Sequence, residues 1–319
     1  MATLSTDSQS HTYSSAIMNR YESDPIVLSG EYDISDGVTL TITRTYSGFK
    51  QLWQAADSVL KTLEANDCDG NQWILVLGLT NEAIERLDND RGCLGVNFRF
   101  EWEGSTGLIK VIPGAAHESL VNDFTMKVAS DLQNMGIHWT ERRWIGATRY
   151  RPANNNGKEG DQAFTPPSRQ VTQGQTRGWP TLVVEVGVSE SMPKLRSDAK
   201  FWFNNSNGQT RIVILISAKR NRVTFEKWML MPPNAPNPAP PAYVATLRSR
   251  PVHRPPLVNQ PAANQQLYSA QEVVITPTGM TGAPMILPFP ALFDRAPTAN
   301  ETDLTITAQD FRALVQPIF

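Results

Sequence analysis

Two cysteines in 319 residues, Cys68 and Cys93, cannot build a disulfide framework, and their spacing matches no zinc site. Cross-linked scaffolds and thiolate metal centres are thereby set aside, and a reducing compartment fits. No apolar run approaches the length of a membrane span. The opening MATLSTDSQSHTYSS has no apolar centre of the kind a signal peptide carries. These absences predict an intracellular protein, nuclear or cytoplasmic, with no membrane partner. Neither a glycine-rich phosphate loop nor a Gly-x-Ser-x-Gly elbow occurs. Four histidines, at positions 11, 117, 138 and 253, are too scattered to argue for a hydrolase triad. A formal net charge of −2 excludes a chain that coats nucleic acid by charge alone.

The distribution of charge says more than its sum. Residues 1–110 hold eight Lys/Arg against sixteen Asp/Glu, whereas residues 138–200 hold ten against six. A basic zone surrounded by acidic sequence is what a local phosphate-binding surface needs. Within that zone, Thr181–Ser189 reads as a buried strand of apolar residues. Glu185 stands in its middle, among Leu182, Val183, Val184, Val186 and Val188. An unpaired carboxylate there would cost several kcal/mol, so it must be paired, hydrogen-bonded or bound to a metal.

Strand parity puts Thr181, Val183, Glu185 and Gly187 on one face and Leu182, Val184, Val186 and Val188 on the other. Gly187, bare of a side chain, leaves room beside Glu185 for a group from elsewhere. Asp161 opens a short upstream strand, Asp161–Phe164, and Lys200 lies on the helix that follows Glu185. Two carboxylates and a lysine gathered from adjacent elements can hold a divalent cation and place a water beside a phosphate.

The rest of the chain arranges itself around this stretch. Residues 1–22 are polar and read as disordered, and 23–91 as an acidic α+β accessory region with a helix at Phe49–Asn66 and a strand at Trp73–Leu79. A hairpin around Gly104–Gly107 precedes the strongest helix pattern, His117–Met135, which Gly136 ends. Trp139–Arg151 reads as one strand, and Arg211–Leu230 as a hairpin turning at Arg220-Asn221. Prolines crowd residues 232–271, an extended connection, and 272–319 close with a strand and helix packed back on the core. The order predicts an α/β fold with a mixed central sheet flanked by helices, spanning residues 92–231.

The segments AHESLVNDFTMKV, KEGDQAF, WPTLVVEVGVSES and the helix carrying DAKFWF resemble the PD-(D/E)XK nuclease superfamily, in its Uma-type, restriction-endonuclease-like branch. KEGDQAFTPPSR, GWPTLVVEVGVSES, the NSNG turn and FEKWML resemble uncharacterised fungal proteins of that branch. The resemblance implies a restriction-endonuclease-like core and a nuclease that hydrolyses phosphodiester bonds with Mg²⁺ or Mn²⁺. It implies Asp161, Glu185 and the Val186 carbonyl as metal ligands, with the catalytic lysine moved from the Gly187 position to Lys200. Nucleic acid is the implied partner, DNA ahead of RNA, and many enzymes of this superfamily pair as homodimers to cut two strands. Glu118 has two readings: a carboxylate favoured by the helix dipole, or an outer metal ligand. Arg143, Lys158, Arg169, Arg177 and Arg196 are the candidates for phosphate contact. A competing reading keeps the fold without catalysis, as a module that binds nucleic acid or protein.

Overall fold

In the computed structural model the described residues are 42–66, 70–112, 114–150, 156–170, 178–188, 192–250 and 252–319, with the strand segments 28–29, 32–34 and 38–40. The expected disorder of residues 1–22 and the phosphate contact of Arg177 lie outside them.

Chain order begins with β1 (Leu28–Ser29), β2 (Tyr32–Ile34), β3 (Val38–Leu40) and β4 (Thr43–Thr45). Helix α1 (Phe49–Ala65), β5 (Trp73–Leu77) and α2 (Asn81–Asn89) follow, then the hairpin β6 (Phe98–Glu103) and β7 (Thr106–Val111). Next come α3 (Gly114–Asn134), β8 (Arg143–Trp144), β9 (Arg149–Tyr150), β10 (Asn156–Glu159), β11 (Gln162–Thr165) and β12 (Leu182–Val188). Helix α4 (Met192–Asn205) leads to β13 (Ile212–Lys219) and β14 (Arg222–Leu230). The remainder is α5 (Pro241–Arg248), β15 (Leu267–Thr276), β16 (Gly279–Thr281), β17 (Met285–Leu287), α6 (Phe289–Phe293), β18 (Leu304–Ile306) and α7 (Ala308–Val315).

The strands form two seven-stranded sheets. The first runs β1-β4-β5-β7-β6-β10-β9, and α1 lays Leu52, Ala56, Val59 and Leu63 on it, over Ile74, Val76, Phe100 and Ile109. Because β5 pairs with β7, the boundary expected at residue 91 falls inside one continuous sheet. The second sheet runs β16-β15-β14-β13-β12-β11-β8. Its β12–β13 pair is parallel, joined through α4, and its other pairs are antiparallel, so the fold is mixed α/β with a mixed central sheet.

Alternation along β12 divides that sheet's faces. Leu182, Val184, Val186 and Val188 pack with Leu120, Phe124 and Val128 of α3 and with Phe289, Phe293 and Phe311 of the C-terminal segment. Val183 on the other face packs with Leu195, Ala199, Trp202 and Phe203 of α4. The stretch read as one strand, Trp139–Arg151, is instead a 3-10 turn and two short strands. Gly146, at φ +56°, breaks it. The proline-rich connection contains a helix, α5, which starts with Pro241 at its first position, where a missing N–H costs nothing.

One segment joins the two sheets. Strand β10 pairs with β6 in the first, and β11 pairs with β12 in the second, with only Gly160 and Asp161 between them. A Cβ at Gly160 would lie 2.9 Å from Val183 Cγ1 and 3.3 Å from Trp202 Cζ2, closer than packed carbons allow. Gly160→Ala is therefore expected to cost about 1–3 kcal/mol through overpacking, read as a fall in the urea midpoint. A variant as stable as the parent would show that the corner relaxes freely.

Candidate functional site

Asp161 is the first residue past the corner, and its position follows from where β11 stops. Antiparallel pairing of β11 with β12 reaches Gln162 opposite Val184 and goes no further. Beyond that point no strand among the described residues lies beside this edge of β12, and its polar backbone groups need other partners. The Val186 N–H donates to Asp161 Oδ2 at 2.8 Å. The Val186 carbonyl accepts from Lys110 Nζ at 2.7 Å, and the Val188 carbonyl from Gln72 Nε2 at 3.0 Å. Side chains from the first sheet and from the corner thus complete the edge of the second.

Asp161 is buried and ringed by cations. Arg99 Nε lies 3.3 Å from Oδ1; His117 Nε2 and Lys110 Nζ lie 3.2 and 3.9 Å from Oδ2. Burial alone would raise its pKa, but the charges of His117, Lys110 and Arg99 hold the carboxyl well below the usual range. The reciprocal effect acts on buried His117: burial disfavours its charge, and Asp161 outweighs that and raises its pKa. His117 Nδ1 lies 3.5 Å from Glu118 Oε1, whose carboxylate is about half exposed and held low chiefly by that histidine.

Glu185 is buried on the α4 face of β12, where Trp202 Nε1 donates to its Oε1 at 2.6 Å. Lys158 Nζ is 3.9 Å away, but its charge is already engaged. It sits 2.9 Å from Asp198 Oδ1 and 3.0 Å from Glu101 Oε2, and Lys194 Nζ closes the ring at 2.5 and 2.8 Å from the same two carboxylates. Burial therefore dominates at Glu185, and with the nearby charges of Asp198 and Asp161 it outweighs Lys158, pushing the pKa up to about 8. Asp161, Glu185, Lys110, Lys158, Asp198 and Glu101 all line one cavity of about 20 Å³, floored by Trp73. That volume holds one water-sized guest.

The expected site residues separate clearly. Asp161 and Glu185 line this cavity, and the Val186 carbonyl is tied to it through Lys110. Glu118 reaches it only through His117. Lys200 is exposed and does not line the cavity, because it lies two residues, about 200° of helix, from inward-facing Asp198. The ammoniums that do enter come from Lys110 and Lys158. Lys158 is locked in the carboxylate ring. Arg169 donates to the Trp179 and Gln209 carbonyls at 2.8 and 2.7 Å and pairs with Asp294, while Arg196 holds Glu226 at 2.6 and 3.1 Å. Lys158 and Arg169 are committed to ion pairs in the interior, whereas Arg196 pairs with Glu226 while remaining exposed. Arg143 is exposed, beside a surface groove of about 320 Å³.

Lys110, Glu101, Lys194 and Asp198 were missed in the sequence. Lys110 carried the same signal as Glu185, a charge inside the apolar strand GLIKVI. Lys194 and Asp198, four residues apart, sit on the inward stripe of α4 with Leu195 and Ala199. Among the described residues no three His, Cys, Asp or Glu side chains cluster as a ready-made metal centre. The expected donor set is different, two carboxylates and a backbone carbonyl. Such hard oxygen donors suit Mg²⁺ or Mn²⁺, and two of the three already hold a cation, the Lys110 ammonium.

No helix of the described residues is long and apolar enough to cross a membrane. No family profile and no curated relative matches the chain. Among solved structures it is similar to a candidate nuclease belonging to DUF820 from Anabaena variabilis, with 13% identity and a TM-score of 0.33 over 52% of this chain and 88% of that one.

Proposed function

We propose that the protein is a nuclease-like phosphodiester hydrolase of the PD-(D/E)XK type, acting on nucleic acid with Mg²⁺ or Mn²⁺ held by Asp161, Glu185 and the Val186 carbonyl. The observation that carries the reading is that Asp161 and Glu185 line one ion-sized cavity with a cation, Lys110, which also binds the Val186 carbonyl. The motifs around KEGDQAF and VVEVGV support it independently. A bound ion would supply a water of lowered pKa and neutralise charge developing on the phosphate.

The chain's own residues do the rest. Arg99 and His117 keep Asp161 ionised. Trp202 fixes the rotamer of Glu185 through its indole N–H. The ring of Glu101, Lys158, Asp198 and Lys194 balances its own charge on the far wall and holds that wall in place. The cavity is too small for a phosphodiester, so substrate must engage at its mouth.

The test is Mg²⁺- or Mn²⁺-dependent cleavage of single- and double-stranded DNA and of RNA. Glu185→Gln keeps the hydrogen bond from Trp202 but removes an anionic ligand, and should lower cleavage about 10²-fold or more. Lys200→Ala should stay within about twofold of wild type, because an exposed lysine beyond the cavity makes little transition-state contact. If wild-type protein cleaves none of these and binds neither ion, the competing reading stands. The internal ammoniums that already fill the site favour that outcome: a PD-(D/E)XK-fold module that binds without catalysis.

A further inference from the structure

The cavity's cation is part of the chain. Lys110 comes from β7 of the first sheet, where Ile109 and Val111 turn to the α1 core and Lys110 turns the other way, over Trp73 at 5.6 Å from the ring centre. Its ammonium is buried, 2.7 Å from the Val186 carbonyl and 3.9 Å from Asp161 Oδ2. Those are two of the three oxygens that the reading above gives to a divalent ion. A cavity of about 20 Å³ has room for one occupant among these groups, and an ammonium and a dication cannot share the same carbonyl lone pair at close range.

Resting on that reading, we infer that Lys110 occupies the ion's own position, and that loading is an exchange in which the ammonium leaves the Val186 carbonyl as Mg²⁺ or Mn²⁺ arrives. Lys110 then sets the affinity of the site. It holds the donors together when no ion is present and opposes the ion in proportion to the contacts it must give up. Its four-carbon stem lets the head swing aside while the stem stays over Trp73. Lys194 provides the contrast: it is also close to Trp73, at 4.7 Å, but it binds Glu101 and Asp198 on the far wall.

The experiment is calorimetric titration of Mn²⁺ into the full chain, with thermal midpoints measured with and without the ion. Lys110→Met and Lys110→Gln should each bind Mn²⁺ at least tenfold more tightly than wild type. Glutamine retains an N–H donor for the Val186 carbonyl, so one variant survives if loss of that cap unfolds the other. Both should melt below wild type without ion and gain more than wild type when it is added. Lys194→Met should change affinity less than threefold. Wild-type binding with no tightening in either Lys110 variant overturns the inference and leaves the metal reading intact. Equal tightening in Lys194→Met also overturns it, since the effect would then be general charge. If no protein binds Mn²⁺, the metal reading falls and this inference with it.

Discussion

Asp161→Asn is expected to lower the unfolding free energy by about 3–5 kcal/mol at neutral pH, the range seen when one partner of a buried ion cluster is removed. Asparagine can still accept from the Val186 N–H through its amide oxygen, so the β12 edge keeps that cap. What disappears is the carboxylate that contacts Arg99, His117 and Lys110 together, leaving His117 with the half-exposed Glu118. His117 loses the charge that raises its pKa, and burial then favours the neutral ring. Buried Lys110 and partly buried Arg99 are left without that anion. The pH dependence follows from the direction of the shift. Asp161 has a pKa depressed from 3.8, so its stabilisation is present above that value and is lost as pH falls through the folded pKa. The gap between wild type and variant, measured by urea unfolding, should be widest near neutrality and close in strong acid. A gap below about 1 kcal/mol at pH 7 would mean that the cations are solvated, contrary to their burial.

Glu185→Gln should do the opposite. The folded pKa of Glu185, about 8, lies above its ordinary 4.5, so between those values the folded protein binds more protons than the unfolded chain. Stability therefore falls as pH rises across that window. Glutamine resembles the protonated acid and carries no such penalty. At pH 8 the variant should exceed wild type by about 2–4 kcal/mol, and the advantage should vanish below pH 4.5. The measurement is a pair of urea midpoints at several pH values. A variant less stable than wild type at pH 8 would place the ionised carboxylate in a favourable site, against the geometry. Together with its expected loss of cleavage, this makes position 185 one where stability and activity pull in opposite directions.

Much of the fold was legible because its core strands are long and apolar. Parity along β12, the α4 stripe and the β13–β14 hairpin all follow from period-2 and period-3.6 patterns. The edge of the core was less legible: Trp139–Arg151 has strand-like residues, but Gly146 adopts a left-handed turn that alternation does not reveal. At the site, Asp161 and Glu185 stood out because each is a charge in an unsuitable place. Lys200 followed from family resemblance, and helix geometry points it outward. Lys110 and Glu101 lie more than 50 residues before Asp161, in what read as a separate layer, and only the β10–β11 corner brings that layer to β12. Sequence pattern locates a face; it does not say which other sheet will meet it.

The seven-residue strand β12 has a neighbouring strand on one side along its whole length and on the other for only three residues. This edge is buried, but an unpaired edge invites foreign strands whenever the structure opens, and proteins commonly guard such edges with charges. Here the guards are Asp161, Lys110 and Gln72, each placed on a specific backbone group. Side chains at and beside the cavity therefore also cap this edge against strand addition. Substitutions that strip both Lys110 and Gln72 would expose the carbonyls of an apolar strand in the heart of the protein, and their first visible consequence would be aggregation.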